Sequence, residues 1–159
     1  MADELSRSAR RVQDALLNAG ADFDVVELPA STRTAHDAAD AIGCDVGQIA
    51  KSLVFKTGTT GRPVMVIASG AHRVDPDKVE ALVGEPVALG EPDFVRSSTG
   101  FAIGGVPPLG HSQQLTIFLD ESLRDYDVLW AAAGTPHAVF ELNAEDLPRL
   151  TGGRFARVA

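Results

Sequence analysis

The sequence predicts an α/β protein of the α+β type: a single domain over residues 1–159, with a mixed, mostly antiparallel sheet surrounded by short helices. Three observations carry this prediction. Runs rich in β-branched and aromatic residues recur along the chain and read as strands. Two of them, Lys51–Thr57 and Pro63–Ser69, are joined by Gly58-Thr59-Thr60-Gly61-Arg62, a hairpin spacing. The helical stretches between strands are short and irregularly placed, and neither a P-loop nor a GxGxxG turn is present, which argues against a doubly wound nucleotide fold.

Residues 3–19 read as a helix, with Leu5, Ala9, Val12 and Leu16 on one stripe and Gly20 as the stop. Residues 23–28 form a strand and Pro29 to Arg33 a loop. Thr34 followed by Asp37 resembles a capping box for a short alanine-rich helix that Gly43 ends. Asp45 caps a further turn, which delivers the chain to Lys51. After the hairpin, Asp75 and Pro76 open a helix that stops at Gly84. Residues 92–98 give another short helix. Strands follow at LTIFLD, DVLWAAA and HAVFEL. Residues 144–150 form a last helix, in which Pro148 fits only the first turn or a break.

Composition narrows the function. Hydrophobic residues make up 45% and charged residues 23%, ordinary for a soluble globular domain. No apolar run approaches the roughly 20 residues of a membrane helix, and the N-terminal stretch lacks the apolar centre of a signal peptide. The one cysteine, Cys44, precludes an internal disulfide and fits a reducing compartment, so a cytoplasmic location is expected. The net charge of −8 excludes extensive phosphate-backbone binding; a nucleic-acid partner would be touched over a small area only.

Strand alternation places Lys51 on one face with Leu53 and Phe55, and Ser52, Val54 and Lys56 on the other. A lysine among bulky apolar side chains must reach water, pair, or line a cleft. The segment FAIGGVPPLGH concentrates Gly104, Gly105, Pro107, Pro108 and Gly110 beside His111. Such a loop either makes a tight connection or aims its free N–H groups at an oxyanion. His36, His72, His111 and His137 lie at no metal-ligand spacing, so no metal or other cofactor is expected. His111 and His137 adjoin Gly- and Pro-rich loops that could meet a cleft. Cys44 lacks an activating neighbour and reads as structural.

In order along the chain, the Thr34–Gly43 helix, GQIAKSLVFK, VMVIASGAHRVDPDKVEAL, STGFAIGGVPPLGH, LTIFLDESL and VLWAAAGTPHAVFELNAEDLPRL resemble the YbaK/EbsC family of aminoacyl-tRNA deacylase domains. The resemblance covers residues 30–150. It implies a mixed-sheet domain that hydrolyses the ester between a wrong amino acid and the terminal adenosine of tRNA. Lys51, Gly104 and Gly105 would be catalytic, and Thr34, Ser69, Pro107, Pro108, Gly110, His111 and His137 would bind substrate. Leu109 stands where many relatives carry an aromatic residue, which implies a pocket of altered shape.

The expected function is therefore trans-editing of a small residue (Cys, Ala, Ser or Thr) on a tRNA such as tRNA(Pro). The partners would be the aminoacyl-tRNA acceptor end, with a prolyl-tRNA synthetase or an elongation factor as the carrier. The chain would act away from membranes, as a monomer or weak homodimer. The competing expectation is a non-catalytic module that uses the same cleft for a nucleotide, an aminoacyl-adenosine or a protein.

Overall fold

The computed structural model describes residues 5–159. Helix α1, Arg7–Asn18, buries Ala9, Val12 and Leu16 completely, three of the four residues of the predicted stripe; Leu5 lies before the helix and is half-buried. Residues 3 and 4 of the predicted helix lie outside the described residues. Strand β1, Val25–Glu27, is shorter than its predicted span because only these residues pair with another strand. Helix α2, Ala35–Ile42, begins where expected: Thr34 Oγ1 accepts from Asp37 N at 3.0 Å. A 3-10 turn at Val46–Gln48 then leads into β2, Ile49–Thr57, and the hairpin continues into β3, Pro63–Ser69.

Next come α3 (Pro76–Val83), β4 (Val87–Leu89), α4 (Pro92–Thr99) and β5 (Thr116–Asp120). After a second 3-10 turn at Glu121–Asp125, the chain adds β6 (Leu129–Ala132), β7 (Ala138–Leu142), α5 (Asp146–Thr151) and β8 (Arg154–Ala156). Pro148 is the third residue of α5, within the first turn, where its missing N–H has no intrahelical acceptor to lose. The strands β4 and β8 are absent from the sequence reading. Each is three residues long, too short to show alternation, and each exists because a longer strand offers it an edge.

All eight strands form one mixed sheet in the order β1-β7-β6-β2-β3-β5-β8, with β4 attached to β2. The β1/β7, β6/β7, β2/β3 and β2/β4 pairs are antiparallel; β2/β6, β3/β5 and β5/β8 are parallel. On one face, α1, α4, α5 and the 101–109 loop cover Val54, Met65, Ile67, Leu119 and Phe140. On the other, Val79 of α3 packs over Phe55, Val64, Val66 and Phe118, and Ala38 and Ala39 of α2 sit against Ile49. Among the described residues, no helix is long and apolar enough to cross a membrane.

The strand β2 has an interrupted edge. On the side away from β3 it pairs with β6 only at Ile49 and Ala50, and with β4 only from Phe55 onward. Val54 O on that side is met by Gly90 N at 2.8 Å. Residues 51–53 have no strand beside them there. That gap positions the site.

Candidate active site

The gap opens into a cleft of about 250 Å³. Its floor is Lys51, Ser52 and Leu53; the loop before α2 and the start of that helix form one wall. Trp130, Ala131 and Ala132 of β6 form a second, and Ile103, Gly104 and Val106 of the glycine loop close the third. Among the described residues no carboxylate and no imidazole lines it, whereas Lys51 and Arg33 both do. On a chain of net charge −8 this is a cationic cleft in an acidic surface, an arrangement that favours an anionic ligand.

Lys51 donates from Nζ to the carbonyl of His72 at 2.8 Å. Burial pushes its pKa down from 10.5, and the charge of Asp120 partly offsets that. The His72 carbonyl is itself held in place. Asp120, with only 3% of its side chain exposed, accepts from Ser69 N at 3.1 Å and from Ser122 N and Oγ at 2.9 and 2.8 Å. His72 Nδ1 lies 3.3 Å from the same carboxylate and 2.9 Å from Ser122 Oγ. Burial alone would raise the Asp120 carboxyl, but the hydrogen bonds from Ser122, Ser69 and His72 outweigh it and hold the group below 3.8. The sequence reading did not find this support. Its residues come from two separated segments, 69–72 and 120–122.

Two residues that line the cleft carry buried hydroxyls with no partner among the described residues: Thr32 Oγ1, on a residue 5% exposed, and Ser52 Oγ. Because Val54 directs its carbonyl to the interrupted edge, alternation directs the backbone N–H and C=O of Ser52 there as well. Ser52 therefore offers a hydroxyl, a donor and an acceptor at one point. Unsatisfied groups of this kind cost stability.

The glycine loop divides in two. Gly104 lines the cleft at φ +96°, a conformation open to glycine, and a Cβ there would lie 2.8 Å from Arg33 Cγ. Its N–H has no acceptor among the described residues. Gly105, expected to be catalytic, is buried, and its N–H donates to Ala102 O at 3.1 Å. It packs against the backbone of Gly134 and Thr135, where a Cβ would come within 2.9 Å of main-chain atoms. Gly105 thus ties two loops together and does not face the cleft.

Most of the expected substrate-binding residues lie elsewhere. Of these, Thr34 alone lines the cleft, with its hydroxyl already capping α2. Ser69 is buried and spends its hydroxyl on Gly47 O at 2.8 Å. Pro107 and Pro108 are buried outside the cleft, and Gly110 packs near Ala15 of α1. His111 lies 2.7 Å from Pro107 O through Nε2, and burial pushes its imidazole toward the neutral form. His137 is exposed, with Nδ1 3.1 Å from Ala30 O, so it braces the 29–31 loop from outside. Leu109 belongs to the main core, so its identity shapes packing and not the pocket. Burial and then Asp45 raise the Cys44 thiol above 9.0, which opposes a thiolate role. Among the described residues no group of three or more His, Cys, Asp or Glu side chains is placed to hold a metal.

A sheet split along one strand, with a lysine on its floor and a glycine loop over it, defines the class. Residues 29–150 match the model of the aminoacyl-tRNA editing domain. The chain belongs to that family. It is 32% identical over 124 residues to the uncharacterized protein YwhH of Bacillus subtilis, covering 78% of each chain. It is 29% identical over 126 residues to the Enterococcus faecalis protein named "Putative Cys-tRNA(Pro)/Cys-tRNA(Cys) deacylase EbsC", covering 79% of this chain and 76% of that one. A solved structure described as "a putative trans-editing enzyme for prolyl tRNA synthetase" superposes with a TM-score of 0.91 at 51% identity over 98% of both chains.

Proposed function

We propose that this protein is an aminoacyl-tRNA deacylase that acts in trans on a small amino acid (Cys, Ala, Ser or Thr) mischarged on a tRNA such as tRNA(Pro). The observation that carries the reading is the cleft itself: cationic, free of carboxylates among the described residues, walled by alanines together with Ile49, Ile103 and Trp130, and lined by two residues whose buried hydroxyls have no partner among them. Family membership and the trans-editing description of the solved relative support it.

Hydrolysis of an aminoacyl ester needs an aligned nucleophile and a stabilised oxyanion. Water, or a substrate group such as the neighbouring ribose hydroxyl or a cysteine thiol, attacks the carbonyl carbon. The ester C–O bond then breaks, and the proton released by the nucleophile ends on the departing ribose oxygen. With a substrate-group nucleophile, water later completes the hydrolysis. The cleft lining provides no general base, so the protein acts by positioning and by charge. Lys51 and the backbone N–H groups of Gly104 and Ser52 are the donors available to a developing oxyanion. The hydroxyls of Thr32 and Ser52 suit the α-amino group or a polar side chain of the amino acid. Contact restricted to the acceptor end agrees with the acidic surface, and a prolyl-tRNA synthetase or an elongation factor would hold the rest of the tRNA.

The test is deacylation of Cys-, Ala-, Ser- and Thr-tRNA(Pro) by wild type and Lys51→Ala, with circular dichroism on both. Hydrolysis by wild type that the folded variant loses supports the reading. A folded wild type inactive across the panel would overturn it.

A further inference from the structure

We propose that Arg33 is the phosphate-binding residue of the cleft, taking the 5′-phosphate of the terminal nucleotide whose ribose carries the ester. The inference rests on the deacylase reading for its ligand and on independent geometry for its site. Lys51 and Arg33 are the two cationic side chains that line the cleft. The Lys51 ammonium spends one of its three donors on the His72 carbonyl at 2.8 Å, and that anchor holds the other two at the ester end in the deacylase reading. Arg33 has no ion-pair partner among the described residues. A guanidinium with no carboxylate beside it among the described residues is suited to a bidentate phosphate contact.

Its placement is built into the loop opposite. Gly104 leaves room for the Arg33 stem: a Cβ at 104 would lie 2.8 Å from Cγ and 3.5 Å from Cδ and Nε. The glycine is thus the bed on which the arginine lies across the mouth. Thr34 caps α2 next to it, and the first N–H groups of that eight-residue helix, at Ala35 and His36, add positive potential at the same wall. A separate observation points to a ligand here: Thr32, one residue before Arg33, is 5% exposed and its hydroxyl has no partner. The segment 32–35 therefore brings a buried unpartnered hydroxyl, a guanidinium and a helix N-terminus to one wall of the cleft. A nucleoside 5′-phosphate uses the guanidinium and the helix N-terminus at its phosphate, which leaves the Thr32 hydroxyl to the aminoacyl end.

The test compares AMP, adenosine and inorganic phosphate as ligands by calorimetry, for wild type, Arg33→Gln and Arg33→Lys, with the exposed and remote Arg154→Gln as control. Wild type is expected to bind AMP about tenfold more tightly than adenosine, the worth of one charge-assisted contact. In Arg33→Gln the ratio falls to near one, Arg33→Lys lies between, and Arg154→Gln keeps the wild-type ratio. Inorganic phosphate binding much more weakly than AMP assigns the site to a nucleotide. Phosphate binding as tightly as AMP, or an AMP-to-adenosine ratio that Arg33→Gln leaves intact, would overturn the proposal. The readout needs no ester hydrolysis. A protein that deacylates nothing yet prefers AMP through Arg33 would refute the deacylase reading alone.

Discussion

Lys51 and Asp120 never touch, yet the second sets the place of the first: Asp120 anchors the 69–73 turn, and the His72 carbonyl of that turn receives the Lys51 ammonium at 2.8 Å. The carboxylate also adds a favourable charge to a lysine that burial disfavours. The chemistry assigned to Lys51 depends on this relay.

Lys51 is expected to lose its proton below 10.5. The unfolded chain then binds more protons than the folded one between the lowered value and 10.5, so this residue's contribution to stability rises with pH across that window. An NMR titration of the Lys51 side-chain signals reads the midpoint directly. Asp120→Asn should lower it further, because the favourable charge is gone. An unchanged midpoint in that variant would separate the two residues.

Asp120→Asn should also destabilise the protein, by about 2–3 kcal/mol at neutral pH, since three hydrogen bonds to a charged acceptor are weakened. The sign of its pH dependence follows from a lowered carboxyl. The stabilisation is full above 3.8 and is lost as the pH falls through the lower folded-state value. Urea melts of wild type and variant should therefore differ most at neutral pH and converge in acid.

Ser52→Ala and Thr32→Val should separate stability from function. Neither hydroxyl has a partner to lose, so stability stays unchanged or rises by up to about 1 kcal/mol. Deacylation kcat/KM should nonetheless fall about tenfold, because the ligand loses a hydrogen bond. A clear loss of stability in both variants would show that the hydroxyls serve the fold.

Adjacent glycines should respond differently. Gly104→Ala costs about 1–2 kcal/mol from its positive φ and displaces the Arg33 stem, which is a movable side chain. Arg33→Ala in the same background should recover part of that loss. Gly105→Ala meets the backbone of Thr135 and Gly134 at 2.8 and 2.9 Å, neither of which can move aside alone. Thermal melts should place Gly105→Ala well below Gly104→Ala, with no recovery from Arg33→Ala.

Local chemistry was legible in the sequence. The stripe of α1, the cap at Thr34, the β2/β3 hairpin and the alternation around Lys51 each depend on neighbours a few residues apart. Two short strands, β4 and β8, were not, because three residues carry no period and owe their pairing to a distant edge. The glycine loop was identified as a unit, yet only tertiary packing separates Gly104, in the cleft, from Gly105, buried against Thr135.

The order of residue types along the chain was enough for the α+β class, the family, and Lys51 with the glycine loop as the place to look. Tertiary structure alone decided which residues share the cleft. Thr32, Arg33, Ser52 and Trp130 come from three separated segments and meet because β6 and β4 leave part of the β2 edge uncovered. Ser69, His111 and His137 carry suitable chemistry, but packing spends their polar atoms on Gly47, Pro107 and Ala30. Residue type and spacing report what a side chain is able to do. The path of the backbone through the sheet decides which partners reach it first.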